Sequence, residues 1–180
     1  MIRCLLFTSI LLTYHAGIAQ TPHLKGSTAP MEPMSFMLGK WEGQSWTMGP
    51  QGKSYATTTE HARCKWECEL ILVEGKGTVY DSASQRSNIV HNAFGVIRYE
   101  AHRQAFIMQA YSQGRGMIES EIRLLEEKMF QWGMDIPNGG KMRYTADFRE
   151  EGKWKEWGEY SHDGENWRKI LDMDLTKVSD

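Results

Sequence analysis

The sequence predicts an all-β fold: an antiparallel up-and-down barrel of about ten strands. Three observations carry that prediction. From Phe36 onward, apolar side chains recur with period two. Turn residues punctuate the pattern at regular intervals. Gly95, Gly133 and Gly158 fall inside strand segments, where glycine marks a bulge or the kind of bend that closes a barrel. About ten strands is near the upper end for an open sheet, and closure removes the exposed edges.

The first strand spans Gly39 to Met48 and ends at Gly49-Pro50-Gln51-Gly52. Ser54 to Cys64 and Cys68 to Tyr80 follow, then Asn88 to Glu100, which turns near His102-Arg103 into Gln104 to Ser112. Gln113-Gly114 leads into Gly116 to Leu125, and Glu126-Glu127 into Met129 to Ile136. Pro137-Asn138-Gly139-Gly140 is a strong turn, because Asn and Gly accept positive φ. Met142 to Arg149, Lys153 to Tyr160 and Asn166 to Val178 complete the set, joined at Glu151-Gly152 and His162-Asp163-Gly164. Alternation is clearest late in the chain. Phe130, Trp132, Met134 and Ile136 share one face, and Met142, Tyr144, Ala146 and Phe148 another. Trp167, Leu171, Met173 and Leu175 share a third, opposite Arg168, Asp172 and Asp174. Such strands have one side buried and one side wet. Ile122, Leu125 and Met129 are also helically spaced, but no cap residue opens that segment and its neighbours are strands.

The 180 residues suit one domain plus a targeting segment. Residues 1–19 read as a signal peptide: Arg3, a short apolar stretch from Leu5 to Leu12, and Gly17 and Ala19 as small residues at the cleavage positions. Cleavage near Ala19 leaves Gln20 first, and the expected location is periplasmic or secreted. The apolar stretch is far shorter than the roughly 20 residues of a membrane span, so no span is expected. Residues 20–35 carry Pro22, Pro30 and Pro33 and read as a flexible leader, with a short helical turn around Met34 to Leu38 that closes one end as the alternative. Residues 36–180 form the barrel domain.

A net charge of −2 leaves no basic stripe for nucleic acid and no polybasic run for anionic lipid. Eleven Met and seven Trp supply adaptable and large apolar side chains for a core or a lumen. Cys64 and Cys68 remain after export. On one straight strand they would be roughly 13 Å apart, too far for a disulfide, whose Cα atoms approach within about 7 Å. A turn at Lys65-Trp66-Glu67 removes that obstacle, so a small disulfide across a tight hairpin is expected. His61 with these two cysteines lacks a fourth ligand and the usual spacing for zinc, and no metal is expected.

Two stretches resemble known families. Phe36-Met37-Leu38-Gly39-Lys40-Trp41-Glu42-Gly43 contains the Gly-x-Trp that opens lipocalin and calycin barrels, and Gly-x-Trp-x-Gly is similar to the opening of nitrobindin-type haem-binding barrels. The stretch from Trp154 to Trp167, together with Val73-Glu74-Gly75, resembles a bacterial family of calycin-like domains of unknown function. The resemblance implies a calycin-like barrel of eight to ten strands with an interior cavity, and Trp41 plugging its closed end. It does not supply a ligand, and fold alone does not decide function.

The candidate ligand-binding residues are Trp41, Glu74, His91, Tyr99, Met108, Trp132 and Trp157. Glu74 lies in an apolar strand, where a carboxylate on a buried face must be paired or protonated; on the opposite face it would be wet. His91 alternates with Ile89, Ala93, Gly95 and Ile97, an otherwise apolar face. The others supply the aromatic and Met lining of an apolar pocket. No G-x-S-x-G, H-E-x-x-H, P-loop or Rossmann glycine run is present, so catalytic residues are not assigned and an enzyme is not the favoured expectation. Haem is disfavoured as a cofactor: nitrobindin-type barrels ligate iron through a late histidine, and the only late one here, His162, sits in a turn. The leading expectation is an exported barrel for a small apolar or amphipathic molecule such as a lipid fragment. The alternatives are a lumen enzyme using Glu74 and His91 as acid and base, and an interaction module without a cavity.

Overall fold

The computed structural model describes residues 30–180 except Asn138. The expected signal peptide, its cleavage point and residues 20–29 lie outside the described residues. The ten strands are β1 (Gly39–Gly49), β2 (Gly52–Lys65), β3 (Leu70–Asp81), β4 (Arg86–Glu100), β5 (Ala105–Ser112), β6 (Gly116–Glu126), β7 (Met129–Asp135), β8 (Lys141–Asp147), β9 (Lys153–Ser161) and β10 (Arg168–Ser179). Each pairs antiparallel with its sequence neighbours, and β10 pairs with β1, so the up-and-down sheet closes into a barrel. All ten coincide with the expected strands to within two residues at each end.

Closure makes the period-two pattern a radial one. In β1 the inward set is Trp41, Gly43, Ser45 and Thr47; in β2 it is Ala56, Thr58, Glu60, Ala62 and Cys64. Phe130, Trp132 and Met134 of β7 face inward beside Ala146, Tyr144 and Met142 of β8, as the alternation predicts. Leu171, Met173 and Leu175 of β10 face inward with Gly158, Glu156 and Trp154 of β9.

One end is sealed by a short 3-10 helix, Glu32–Met37, opened by a proline in its first turn. Proline fits there because its fixed φ suits the start of a helix and its missing N–H has no partner to lose. Three residues per turn stack every third side chain on one face. Met31, Met34 and Met37 have that spacing and are completely buried. They pack with Trp41, Phe130, Phe148 and Trp154, and the Trp41 indole N–H donates to the Met37 carbonyl at 2.9 Å. The expected boundary at residue 36 falls inside this plug, a helical turn that closes one end: Met31 and Met34 lie in the core, while Glu32, Pro33 and Ser35 are exposed.

At the same end, β2 and β3 are joined by three consecutive residues with positive φ, Trp66, Glu67 and Cys68. This tight left-handed coil brings the Cα atoms of Cys64 and Cys68 to 4.6 Å, and a disulfide joins them. Besides the extra residue Ile170 in β10, which puts Arg168 in register with Tyr160, two irregularities shape the other end. Val90 is an extra residue in β4: His91 pairs with Gly77, and Ile89 pairs with Thr78. An inserted residue reverses the phase of alternation, so Ile89 leaves the face it was expected to share with His91. The second is between β6 and β7, whose ladder covers only Arg123–Gln131, Leu124–Phe130 and Glu126–Met129. Beyond it the strands part, and the Ser120 hydroxyl accepts the Gly133 N–H at 3.0 Å.

Candidate functional site: the barrel lumen

The plugged end and the mouth differ in burial. Inward side chains near the plug (Trp41, Ala62, Ile71, Ile97, Phe106, Ile122, Phe130, Ala146, Phe148, Trp154, Leu175) are buried. Toward the mouth, where the β1–β2, β3–β4, β5–β6, β7–β8 and β9–β10 turns lie, the inward residues Ser45, Ala56, Ala93, Ala110, Ile118, Trp132, Met142, Tyr144, Tyr160 and Leu171 are all partly exposed. Residues that face inward yet meet solvent mark a water-accessible interior above a packed floor.

Trp41, Phe148 and Trp154 form the floor. Trp41 meets Phe148 edge-on at 5.6 Å and Trp154 edge-on at 5.9 Å between ring centroids, the arrangement aromatic quadrupoles favour. Above it, Trp132 and Tyr144 stack at 4.3 Å with planes 17° apart. The Tyr144 ring lies flat against the wall because residue 158 is glycine; a Cβ there would stand 2.7 Å from Tyr144 Cε1.

Two carboxyl groups reach into this space. Glu60 of β2 faces Trp41 on one side and Gly75 on the other. Its oxygens occupy the position of the missing Gly75 side chain, 2.5 and 2.7 Å from where a Cβ would be. Glu156 of β9 accepts a hydrogen bond from the Trp154 indole N–H at 3.2 Å. Both are enclosed by the wall yet retain partial contact with solvent. Removal from bulk water raises the Glu60 pKa to about 8, with the Glu156 charge adding to the rise. Burial likewise raises Glu156 to about 7, opposed by the Trp154 hydrogen bond. Burial, followed by the Glu156 charge, also raises the Tyr144 hydroxyl. Ser45 and Thr58 add a hydroxyl pair at 2.7 Å on the β1–β2 wall.

Of the residues singled out in the sequence, Trp41 lies in the floor, and Met108 and Trp132 line the lumen. His91 faces inward near the mouth, where partial burial and then the Arg115 charge lower its pKa. Tyr99 lies at the plugged rim, edge-on to Phe106 at 5.2 Å and apart from the open interior. Two placements need correction. Glu74 is on the outer face, ion-paired with Arg63, because Ile71, Val73, Gly75 and Gly77 take the inward phase of β3. The barrel wall therefore separates Glu74 from His91. Trp157 is also outside, in register with Thr145 and Asp172, because Trp154, Glu156, Gly158 and Tyr160 take the inward phase of β9.

Glu60, Glu156, Tyr144 and Trp154 were not among the expected site residues. Period-two reading of Ala56-Thr58-Glu60-Ala62-Cys64 and of Trp154-Glu156-Gly158-Tyr160 would have placed both carboxylates in the lumen, had the phase been known. Neither strand has a one-sided apolar stripe to set it.

Two surface clefts lie near the mouth. One, of about 390 Å³, follows the parting of β6 and β7 between Ser120, Met134 and Trp167. The other, of about 640 Å³, is lined by Phe94, Tyr111 and Met117. Both open outward and hold neither lumen carboxylate. Among the described residues no group of three or more His, Cys, Asp or Glu is placed to hold a metal, and no helix is long and apolar enough to cross a membrane.

No family model matches the chain, and no curated protein matches it. Among solved structures it is similar to Rv2717c from Mycobacterium tuberculosis, with a TM-score of 0.58 at 9% identity, over 83% of this chain and 98% of that one. A protein of unknown function from the DUF3598 family of Nostoc punctiforme aligns at 8% identity, over 84% of this chain and 100% of that one, with a TM-score of 0.28. The first likeness shows the fold alone; the second carries no argument.

Proposed function

We propose that the chain is a calycin-like carrier or receptor for one small amphipathic molecule, held in the mouth-side lumen. The observation that carries this reading is the burial gradient: a sealed aromatic floor beneath inward-facing residues that meet solvent. A filled core would bury those positions, and protein interiors leave few voids larger than a water molecule. The mixture of lining fits an amphipathic ligand. Trp132, Tyr144, Met108 and Ile118 offer apolar and aromatic surface, and Ser45, Thr58, Glu60 and Glu156 offer a few placed polar groups. The signal-peptide pattern of residues 1–19 supports export, which a mature N-terminus at Gln20 would establish.

The test is titration with N-phenyl-1-naphthylamine, whose fluorescence rises in apolar surroundings. Saturable uptake with about one probe per chain, weakened by Trp132→Ala, is the expected result. A linear, unsaturable response, or one indifferent to Trp132→Ala, overturns the reading.

A further inference from the structure

The mouth of the barrel differs from one half of its rim to the other. The β1–β2, β3–β4 and β5–β6 turns make one half, and the β7–β8 and β9–β10 turns the other. On the first half, large apolar side chains stand in water. Met48 and Tyr55 lie beside the β1–β2 turn, Tyr80 and Ile89 beside the β3–β4 turn, and Tyr111 and Met117 beside the β5–β6 turn; all are exposed. Among the described residues of β7 to β10, Val178 is the one exposed large apolar residue, and it lies at the plugged end.

The β3–β4 hairpin stands clear of its neighbours. The β2–β3 ladder stops at Thr57 and Thr78, and the β4–β5 ladder at Ala93 and Ser112. Residues 79–81 and 86–89 therefore pair only with each other. Tyr80 and Ile89 sit on this two-stranded arm with no further strand flanking them.

Each of the three hairpins also presents a cation near its turn: Lys53, Arg86 and Arg115, all exposed. None of them makes an ion pair among the described residues. The carboxylate at these turns, Asp81, accepts hydrogen bonds from the Ala83 N–H at 2.9 Å and the Ser84 hydroxyl at 2.6 Å within its own turn. The opposite turns carry Asp135, Asp163 and Glu165 against Lys141 and Arg168. The sequence has no basic run; the fold gathers these cations from three separate hairpins.

An exposed apolar patch of this kind marks an interaction surface, and its layout narrows the partner. The cleft behind Tyr111 and Met117 reaches only the β5–β6 turn, so a patch spread over three turns fits a broad, flat target. A second copy set against this patch across a two-fold axis would bring like charges together. An anionic bilayer matches both features. Its surface potential attracts Lys and Arg, and tyrosine is favoured at the headgroup level, where the arm's backbone stays hydrated.

We propose that this half of the mouth docks on an anionic lipid bilayer, with Tyr80 and Ile89 at the headgroup level and Lys53, Arg86 and Arg115 against the lipid phosphates. The open end of the lumen then faces the bilayer, where an amphipathic molecule enters or leaves. Docking itself does not depend on what the lumen holds. The chain's net charge is −2, so attraction to an anionic surface reports the local patch rather than the whole molecule.

Co-sedimentation of the full mature chain with vesicles tests this. One set is phosphatidylcholine alone; the other is phosphatidylcholine and phosphatidylglycerol in equal parts. Binding is expected on the anionic set only, weakened by added salt. Arg86→Glu with Arg115→Glu should weaken it roughly twentyfold or more, since each cation near such a surface contributes about fivefold. Tyr80→Ser with Ile89→Ser, at exposed positions outside the core, should weaken it as well. Lys141→Glu with Lys169→Glu makes the same charge change on the other half and should weaken it far less. Absence of binding to the anionic vesicles, equal binding to both sets, or equal weakening by the Lys141 and Lys169 pair overturns the proposal. Dimerisation abolished by Tyr80→Ser with Ile89→Ser, without vesicle binding, also overturns it and makes the rim a contact between copies. Uptake of N-phenyl-1-naphthylamine is measured separately, so the carrier reading and the docking proposal fail independently.

Discussion

Gly75 sits opposite Glu60 across the β2–β3 ladder, and the Glu60 carboxyl group fills the space that a side chain at 75 would take. The atoms in the way are the ends of a flexible side chain rather than backbone. Gly75→Ala should therefore keep the barrel and push the Glu60 carboxyl group toward the water of the lumen. Better solvation lowers a raised carboxyl pKa, here from about 8 by about one unit or more. Carboxyl-carbon NMR titration reads this directly; an unchanged value would show that the cradle does not set the environment of Glu60.

Folding takes up protons at Glu60 and Glu156, whose pKa values rise from 4.5 to about 8 and about 7. The stability contributed by their protonated forms is fully present below about pH 4.5 and is lost as pH rises through the folded values. His91 has the opposite sign, since its lowered pKa costs stability as pH falls below 6.5. His91 is common to the parent and the E60Q/E156Q variant, so its contribution cancels in their comparison from pH 6.5 upward. Between there and about pH 9 the chain should lose on the order of 2 kcal/mol that E60Q/E156Q retains. Urea unfolding of the two proteins at several pH values measures it, and parallel curves would refute it.

Met34 is completely buried in the plug, on the same face as Met31 and Met37. Met34→Ala should cost about 2–5 kcal/mol, the range for removing a buried side chain of this size. A denaturation midpoint unchanged from the parent would mean the plug packs no more tightly than a surface segment.

Gly158 lets the Tyr144 ring lie on the wall and stack on Trp132. Gly158→Ala should displace the ring, costing about 1–3 kcal/mol as overpacking does, and change the tryptophan emission. Combining it with Tyr144→Ala should recover part of that cost, as expected of residues in contact. Strict additivity in the double-mutant cycle would show that the two positions do not meet.

The Cys64–Cys68 disulfide closes a very short loop. Chain entropy then assigns it about 2 kcal/mol, near the low end for disulfides. Reduced protein, or Cys64→Ser with Cys68→Ser, should unfold at lower denaturant by that amount while keeping the barrel's far-UV spectrum.

Strand positions were legible because alternation and turn chemistry are local. Pro137-Asn138-Gly139-Gly140 and His162-Asp163-Gly164 announce their turns without reference to the rest of the chain. Phe130 to Met134 and Met142 to Phe148 state which face is buried, since each carries apolar residues on one parity only. Three features were harder. Trp154 to Tyr160 has aromatic residues on both parities, so Trp157 was assigned inward when it is outward. In β3, Val73 and Glu74 compete for the inward phase, and apolar neighbours lie on both sides. In β4, the face shared by Ile89 and His91 is interrupted at Val90, and a single inserted residue carries little signal of its own.

By itself the sequence determined the all-β class, the ten strands and the turns between them, because each follows from residue preferences within a few positions of the chain. Tertiary structure alone decided which parity of each ambiguous strand faces inward. Closure couples every strand's phase to that of its two neighbours, and a single register choice moves all its side chains across the wall. That coupling sets Glu60 against the Gly75 gap and brings Glu156 close enough for its charge to reach Glu60, from strands nearly a hundred residues apart. It leaves Glu74, whose face the sequence left open, paired with Arg63 on the outer surface.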